Sequence, residues 1–157
     1  MALVATAALL SIPGAKAASP VDKDFLLKAM QAGMTEVRLG EMASLKGNRA
    51  DVRELGHMIV RDDATFNDDL KALAQQKGLP FPDALDAKHQ AMVDKMVDLT
   101  GTQFDEAYIA TMAKELADLA RDFKSESATT ADPEVKTVVD KSVLIVNQHL
   151  KAISAMR

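Results

Sequence analysis

The sequence contains no cysteine and no tryptophan, and only one tyrosine and five phenylalanines among 157 residues. The absence of cysteine excludes disulfides, thiolate zinc sites and thiol nucleophiles. The few aromatic rings and a formal net charge of −4 argue against a nucleic-acid partner, because such surfaces need positive charge and stacking platforms. Seven glycines and five prolines are too few for a collagen-like or low-complexity chain. The length suits one domain with a real core.

Residues 1–17 have the pattern of a secretory signal peptide. An uncharged run rich in Ala and Leu ends at Pro13-Gly14, and Ala15-Lys16-Ala17 fits the small-x-small cleavage pattern. No Lys or Arg precedes the run, so either the true start lies upstream or the signal is atypical. The run is shorter than the roughly 20 residues that span a membrane. We predict cleavage, a mature domain over residues 18–157, and a periplasmic location, with peripheral association to the outer membrane as an alternative.

Apolar residues recur at three- and four-residue steps along most of the remaining chain, which is typical of amphipathic helices. The pattern predicts helices over residues 21–45, 50–76, 84–99, 102–126 and from about residue 132 onward. No segment has the alternation of a strand. Because long amphipathic helices cannot bury their apolar stripes alone, we predict an all-α fold. The predicted architecture is a four-helix bundle with a short extra helix between the second and third long helices.

Three polar residues lie within the apolar stripes. Glu36, Asp63 and His149 project from the centres of the apolar faces of the first, second and last helices, at about 100° per residue. The corresponding residue of the third long helix is Leu116. One interpretation is a site for a divalent metal ion between facing helices. Another is a metal-free hydrogen-bonded cluster that fixes helix register, and a third is that the three side chains do not meet.

Further polar residues could support this layer. Asn67, Asp105 and Glu115 are predicted as polar core residues or as partners of the three candidate ligands. Asp105 lies in the first turn of its helix, where a negative charge complements the helix dipole. His89 aligns with apolar residues of the short helix, and we interpret it as a partly buried capping residue rather than a ligand.

Other motifs are weaker. Glu54-Leu55-Gly56-His57 has the Glu-x-x-His spacing of di-iron proteins, but both ends should face solvent and no second copy exists. Met92 and Met96 could form a soft-metal patch, but we discount copper because no other Met or His clusters with them in the pattern. Phosphate loops and nucleophile elbows are missing, so no catalytic residue is predicted.

Several short strings of the sequence resemble one known family. They are Asp24-Phe25, Glu36-Val37-x-Leu39-Gly40-x-x-Ala43, Met58-Ile59-Val60-Arg61-Asp62 through Asn67-x-x-Leu70, Gly101-x-x-Phe104-Asp105-x-x-Tyr108, and His149-Leu150. In order and spacing they resemble the domain of unknown function 4142 family, exported bacterial proteins often labelled predicted outer membrane proteins. The resemblance covers about residues 22–155. It implies a ferritin-like four-helix bundle, export to the cell envelope, and no established activity.

This chain also departs from the pattern of the family it resembles. Members usually carry His at the positions of Asp63 and Leu116, whereas Glu36 and His149 keep the pattern. The metal or proton-linked site that the resemblance implies is therefore incomplete here. We predict a non-catalytic binding or stress-related envelope protein, whose partner would be an envelope protein or a second copy of the chain. The alternative is a metal-binding or redox bundle using Glu36, Asp63 and His149.

Overall fold

The computed structural model describes residues 17–156, so residues 1–16 of the predicted signal peptide lie outside the described part of the chain. Five α-helices follow one another: α1 (Pro20–Lys46), α2 (Ala50–Gln76), α3 (Ala87–Val97), α4 (Gly101–Thr129) and α5 (Pro133–Ser154). Between residues 17 and 156 there is no strand. The prediction of an all-α fold is confirmed. The shortest helix begins later than predicted because the side chain of Asp86 caps it.

The long helices pack in two antiparallel neighbouring pairs. Helix α1 lies along α2 and α4 lies along α5, while α2 also contacts α5 and α1 contacts α4. The short α3 covers α1 and touches α4. Their apolar stripes meet in one core, and its most buried large side chains are Leu26, Met30, Leu39, Leu55, Ile59, Leu70, Phe104, Met112, Leu116 and Ile153. Burying each such side chain contributes about 1.5 to 3 kcal/mol relative to exposure.

Helices α1 and α2 approach most closely at two glycines. A Cβ atom built on Gly56 would lie 2.6 Å from the carbonyl oxygen of Gly40 and 2.6 Å from the backbone nitrogen of Ser44. A Cβ on Gly40 would lie 3.0 Å from the carbonyl oxygen of Gly56. Both contacts are with backbone, which has little freedom to move inside a helix. The absence of side chains at these positions therefore sets the distance between the two helices.

Polar side chains satisfy the free N–H groups where helices begin. Ser19 and Asp22 form a capping box at the start of α1, with the Ser19 hydroxyl accepting from the Asp22 N–H at 3.1 Å. Asp132 accepts from the N–H groups of Glu134 and Val135 at the start of α5. The ammonium of Lys77, at the end of α2, donates to Asp132 at 2.6 Å and also to Glu134. This buried ion pair joins the end of α2 to the start of α5.

Among residues 17–156, no helix has the length and apolar character required to cross a membrane. Apolar side chains such as Val21, Leu45 and Leu144 are exposed. Single exposed apolar residues are common on protein surfaces.

Candidate functional site

Glu36 of α1 and Asp63 of α2 form a buried pair of carboxyl groups in the middle of the core. They are 4 % and 2 % exposed, and their side chains are within hydrogen-bonding contact of each other. Burial raises the pKa of Glu36 well above its usual value, and the charge of Asp63 raises it further. Burial also raises the pKa of Asp63, although His149 and the hydrogen bond from Glu36 oppose this rise. Glu36 is therefore the member of the pair whose protonated form is favoured, and it donates the hydrogen bond to Asp63.

His149 of α5 lies beside this pair but its direct partner is a different residue. Its side chain is fully buried, and its Nε2 lies 3.2 Å from Oδ2 of Asp62. Asp62, whose side chain is 20 % exposed, also accepts from Arg61 at 2.9 Å. The sequence pattern predicted that Asp63, and not the neighbouring Asp62, faces the core. In the structure the imidazole contacts the carboxylate of Asp62, at the edge of the core.

Two more polar groups belong to the same layer. Burial raises the pKa of Tyr108 of α4 above its usual value, and the nearby carboxyl groups of Glu36 and Asp63 raise it further. Asn67 of α2 lies against Gly33 of α1, where a Cβ atom would be only 2.2 Å from the Asn67 side-chain oxygen. We define the polar layer as Glu36, Asp63, Asn67, Tyr108 and His149.

Several buried atoms of the polar layer lack a conventional donor or acceptor among the described residues. They are Glu36 Oε1, Asp63 Oδ2, Asn67 Oδ1, the Tyr108 hydroxyl and His149 Nδ1. Four of these are acceptors unless protonated, so the layer is short of hydrogen-bond donors. An extra proton, a water molecule or a cation would supply what is missing.

A small cavity borders the polar layer. Its volume is about 10 Å³, and Gly33, Glu36, Asp63 and Ser142 contribute to its walls together with apolar side chains of α1, α2, α4 and α5. Such a volume holds about one water molecule. Glu36 also borders a second cavity of about 10 Å³ beneath α3. Both cavities that border Glu36 therefore have room for about one water molecule each.

The structure brings Glu36 and Asp63 together and places His149 beside them. Within residues 17–156, however, no three His, Asp or Glu side chains converge closely enough to hold a metal ion by themselves. Leu116, at the corresponding position of α4, is fully buried and adds only apolar surface. Any metal ion in this layer would need the amide of Asn67, the hydroxyl of Tyr108 or water as additional ligands.

Asp105 has a role that its position in the sequence did not indicate. Its carboxylate is 1 % exposed and accepts from the backbone N–H groups of Asn48 and Arg49, at 2.9 and 2.8 Å. These groups precede α2, whose own N-cap residue makes no side-chain cap. Asp105 therefore anchors the start of α2 from the first turn of α4. Its main contacts are these two hydrogen bonds, which the prediction of a favourable interaction with its own helix dipole did not include.

The remaining predicted residues lie apart from the polar layer or at its edge. Glu115 is half-buried, influences the pKa of Glu36 through its charge, and lies 3.5 Å from the ammonium of Lys114. Glu54 and His57 are both exposed, as expected for a Glu-x-x-His sequence on the outer face of α2. His89 is 8 % exposed, and its Nδ1 lies 2.8 Å from the Asp86 carboxylate that caps α3.

A second acidic pair lies where α1 begins and α4 ends. Burial raises the pKa of Glu126 to about 7, and a hydrogen bond to Asp22 and the charge of Asp22 contribute. Asp22 also accepts from the Thr130 hydroxyl at 2.9 Å. Burial favours the neutral form of Asp22, but hydrogen bonds from Ser19, Glu126 and Thr130 outweigh it and lower the pKa. Glu126 is therefore the member of this pair that holds the proton.

The arrangement of helices is shared with solved structures of known all-α proteins. A fragment of a DUF305 protein from Deinococcus radiodurans is 15 % identical, with 90 % of this chain and 97 % of that chain covered and a TM-score of 0.78. CopM in its Cu(II)-bound form is 19 % identical, with 86 % of this chain and 94 % of that chain covered and a TM-score of 0.72. Its Cu(I)-bound form is 20 % identical with the same coverage and a TM-score of 0.70. At these identities the likeness concerns the fold alone.

The family assignment comes from the sequence. The model of the family described as Domain of unknown function (DUF4142) matches residues 7–156, so this chain belongs to that family. The resemblance that the short strings indicated is confirmed. No curated protein matches the chain.

Proposed function

We propose that this protein is an exported ferritin-like four-helix bundle with a short extra helix, and that it has a non-catalytic binding or stress-related role in the cell envelope. The observation that carries the proposal is the burial of the polar layer in the core. Its carboxyl pair and imidazole lie in the core beside a cavity of about 10 Å³, so recognition of any larger partner falls to the outer surface. In this proposal the layer fixes the register of the helices and holds a proton.

A complementation experiment separates a surface role from an internal site. Glu36→Gln retains a donor toward Asp63 but removes the titratable carboxyl of Glu36. Asp63→Asn retains an acceptor for Glu36 but removes the titratable carboxyl of Asp63. We expect both variants to restore survival of a deletion strain under envelope stress as well as the parent does. If the variants are stable and exported but fail to restore survival, the internal layer is the functional site and the proposed surface role is wrong.

Export is part of the proposal and has its own measurement. The capping box of Ser19 and Asp22 starts α1 directly after the predicted cleavage site, so the mature chain would retain the complete helix start. Cell fractionation followed by intact mass measurement should find a periplasmic chain that begins at Ala18. A full-length chain retained in the cytoplasm would contradict export, and release from membranes only at high salt would favour peripheral association.

A metal-binding role of the same layer is the second candidate. It is supported by the buried acceptors that have no donor, Glu36 Oε1, Asp63 Oδ2 and His149 Nδ1, which are atoms that can ligate a cation. The copper-bound forms of CopM, which has the same fold, give weak support for a metal in this chain. In this candidate, the Glu36–Asp63 proton would be released when the cation binds.

Elemental analysis of the mature chain without a polyhistidine tag tests the second candidate. After incubation with Mn²⁺, Fe²⁺ or Zn²⁺, this candidate predicts about one ion per chain for the parent and a strong loss for Asp63→Asn and His149→Ala. His57→Ala is the matched control, because His57 is exposed on α2 and should not change the metal content. Equal, negligible metal in the parent and all variants would exclude this candidate.

A further inference from the structure

The second small cavity lies under α3 and has a different chemical character from the polar layer. Its walls include His89 and Met92 of α3, Met112 and Glu115 of α4, and Glu36 of α1. Its volume is about 10 Å³, which suits a single ion or water molecule. The sequence pattern paired Met92 with Met96 and gave no further soft ligand, because Met112 is distant in sequence. Met96 does not line this cavity. Packing of α3 across α1 and α4 brings Met92 and Met112 to the walls of one cavity.

His89 borders this cavity, and Asp86 holds its ring in place. Its Nδ1 lies 2.8 Å from Oδ1 of Asp86, and the same oxygen accepts the backbone N–H of His89 at 2.9 Å. A neutral imidazole whose Nδ1–H donates to a carboxylate has its free lone pair on Nε2. Carboxylates commonly hold metal-ligating histidines in this way. Asp86 therefore fixes the tautomer and ring orientation that a metal ligand needs.

The combination of donors indicates the type of ion. Two thioethers and one imidazole are soft or intermediate ligands, and thioethers select Cu(I) over Mg²⁺, Ca²⁺ or Mn²⁺. Met112 is fully buried, Met92 is half-buried and His89 is 8 % exposed, so an ion could enter from the surface at α3. We propose that His89, Met92 and Met112 form a Cu(I)-binding site beneath α3, with ligands different from the Glu36, Asp63 and His149 of the polar layer.

Competition with a chromogenic Cu(I) chelator tests this site directly. Cu(I) is added under ascorbate to the untagged mature chain, and the metal retained by the protein is measured. We expect one Cu(I) per chain for the parent and an affinity at least about tenfold weaker for Met92→Leu and for Met112→Leu. Met-to-Leu substitution conserves volume and should cost less than about 1.5 kcal/mol of stability, which thermal unfolding verifies.

Two further variants make the result specific. Met58→Leu changes a half-buried methionine of α2 outside this cavity and should leave the Cu(I) affinity unchanged. Asp86→Asn retains an acceptor for His89 but weakens its orientation, and we expect an affinity about tenfold lower. The site is refuted if the parent retains no Cu(I) against the chelator, or if Met58→Leu loses as much affinity as Met92→Leu.

Failure of this site and failure of the proposed function remain distinguishable. Met92→Leu and Met112→Leu leave Glu36, Asp63 and His149 unchanged, whereas Asp63→Asn leaves both methionines, His89 and the walls of the cavity beneath α3 unchanged. Loss of Cu(I) binding only in the methionine variants supports the site under α3. Loss in Asp63→Asn with full retention in Met92→Leu would place the ion in the polar layer and overturn the inference.

Discussion

At the scale of single residues, Asp105 illustrates how a buried carboxylate acquires a role from a distant part of the chain. It accepts two backbone N–H groups from the segment between α1 and α2, 56 and 57 residues earlier in the sequence. These bonds hold the segment that leads into α2, whose own N-cap residue, Arg49, makes no side-chain cap. The sequence indicated a polar residue on the inner face, but it could not indicate which helix start the side chain would reach.

Removal of this anchor should destabilise the fold without touching the polar layer. For Asp105→Ala we expect a loss of about 2 kcal/mol in the free energy of unfolding, because two part-buried backbone N–H groups lose their bonds to a charged acceptor. Urea unfolding measures the change. Glu106→Ala, at an exposed position next to Asp105, is the control and should change stability by less than about 0.5 kcal/mol. Equal effects of the two substitutions would contradict the anchoring role.

The sequence indicated part of the polar layer, and its limits have a physical cause. Glu36, Asp63 and His149 could be recognised because charged or polar groups rarely occupy the centre of an apolar stripe without a partner. Tyr108 was not among the predicted polar core residues, because a tyrosine spaced with apolar residues is typical of a core position, although its buried hydroxyl also needs a partner. Asp62 was missed because helical phase places it near the boundary between core and solvent, where only the reach of His149 decides its contact.

At the scale of helices, the spacing of apolar residues predicted where helices lie, and local capping decided where they end. The bounds of α2 agree with the prediction, since a Gly-Leu-Pro-Phe-Pro segment follows it. Helix α3 is shorter than predicted because Asp86 and not a residue before it caps the helix. The close approach of α1 and α2 at Gly40 and Gly56 was not predictable from periodicity, which treats glycine as a weak member of either face.

The contact between Gly40 and Gly56 makes a specific prediction for α2. Gly56→Ala should gain about 1 kcal/mol from helix propensity, but its Cβ would lie 2.6 Å from backbone atoms of α1. Because overpacking of this kind costs about 1 to 3 kcal/mol or more, we expect a net loss of stability. Thermal unfolding measures it, with Ala64→Gly at an exposed site of α2 reporting propensity alone. A stabilised Gly56→Ala variant would show that the helices separate easily.

At the scale of the whole molecule, the raised pKa values of buried carboxyl groups predict how stability depends on pH. Glu36, Asp63 and Glu126 all bind protons more tightly in the folded chain than in the unfolded chain. The folded state therefore binds more protons over the range between their unfolded and folded pKa values, and stability falls as pH rises through it. Each extra proton lowers the free energy of unfolding by about 1.4 kcal/mol per pH unit.

We expect the unfolding temperature to be higher near pH 5.5 than near pH 8. The pH range of this effect begins at the ordinary carboxyl pKa values of the unfolded chain and includes the pKa of about 7 that Glu126 has in the folded chain. Glu36→Gln should reduce this dependence, because its amide needs no proton to donate to Asp63. Thermal unfolding from pH 5 to 8.5 measures both effects. Glu41→Gln on the exposed face of α1 is the control, and an equal flattening by this control would contradict the assignment to the buried pair.

The ion pair of Lys77 with Asp132 also has a consequence for the order of folding. Helices α1 and α2 are consecutive in the chain, and so are α4 and α5. Contacts within each of these pairs are local in sequence, and local contacts form quickly. Lys77 instead connects the two halves across 55 residues, so it is made only when one helical hairpin docks on the other. We expect substitutions at Lys77 to accelerate unfolding while leaving the folding rate nearly unchanged. The buried ammonium thus forms its ion pair late in folding, and its contribution is to slow the unfolding of the folded chain.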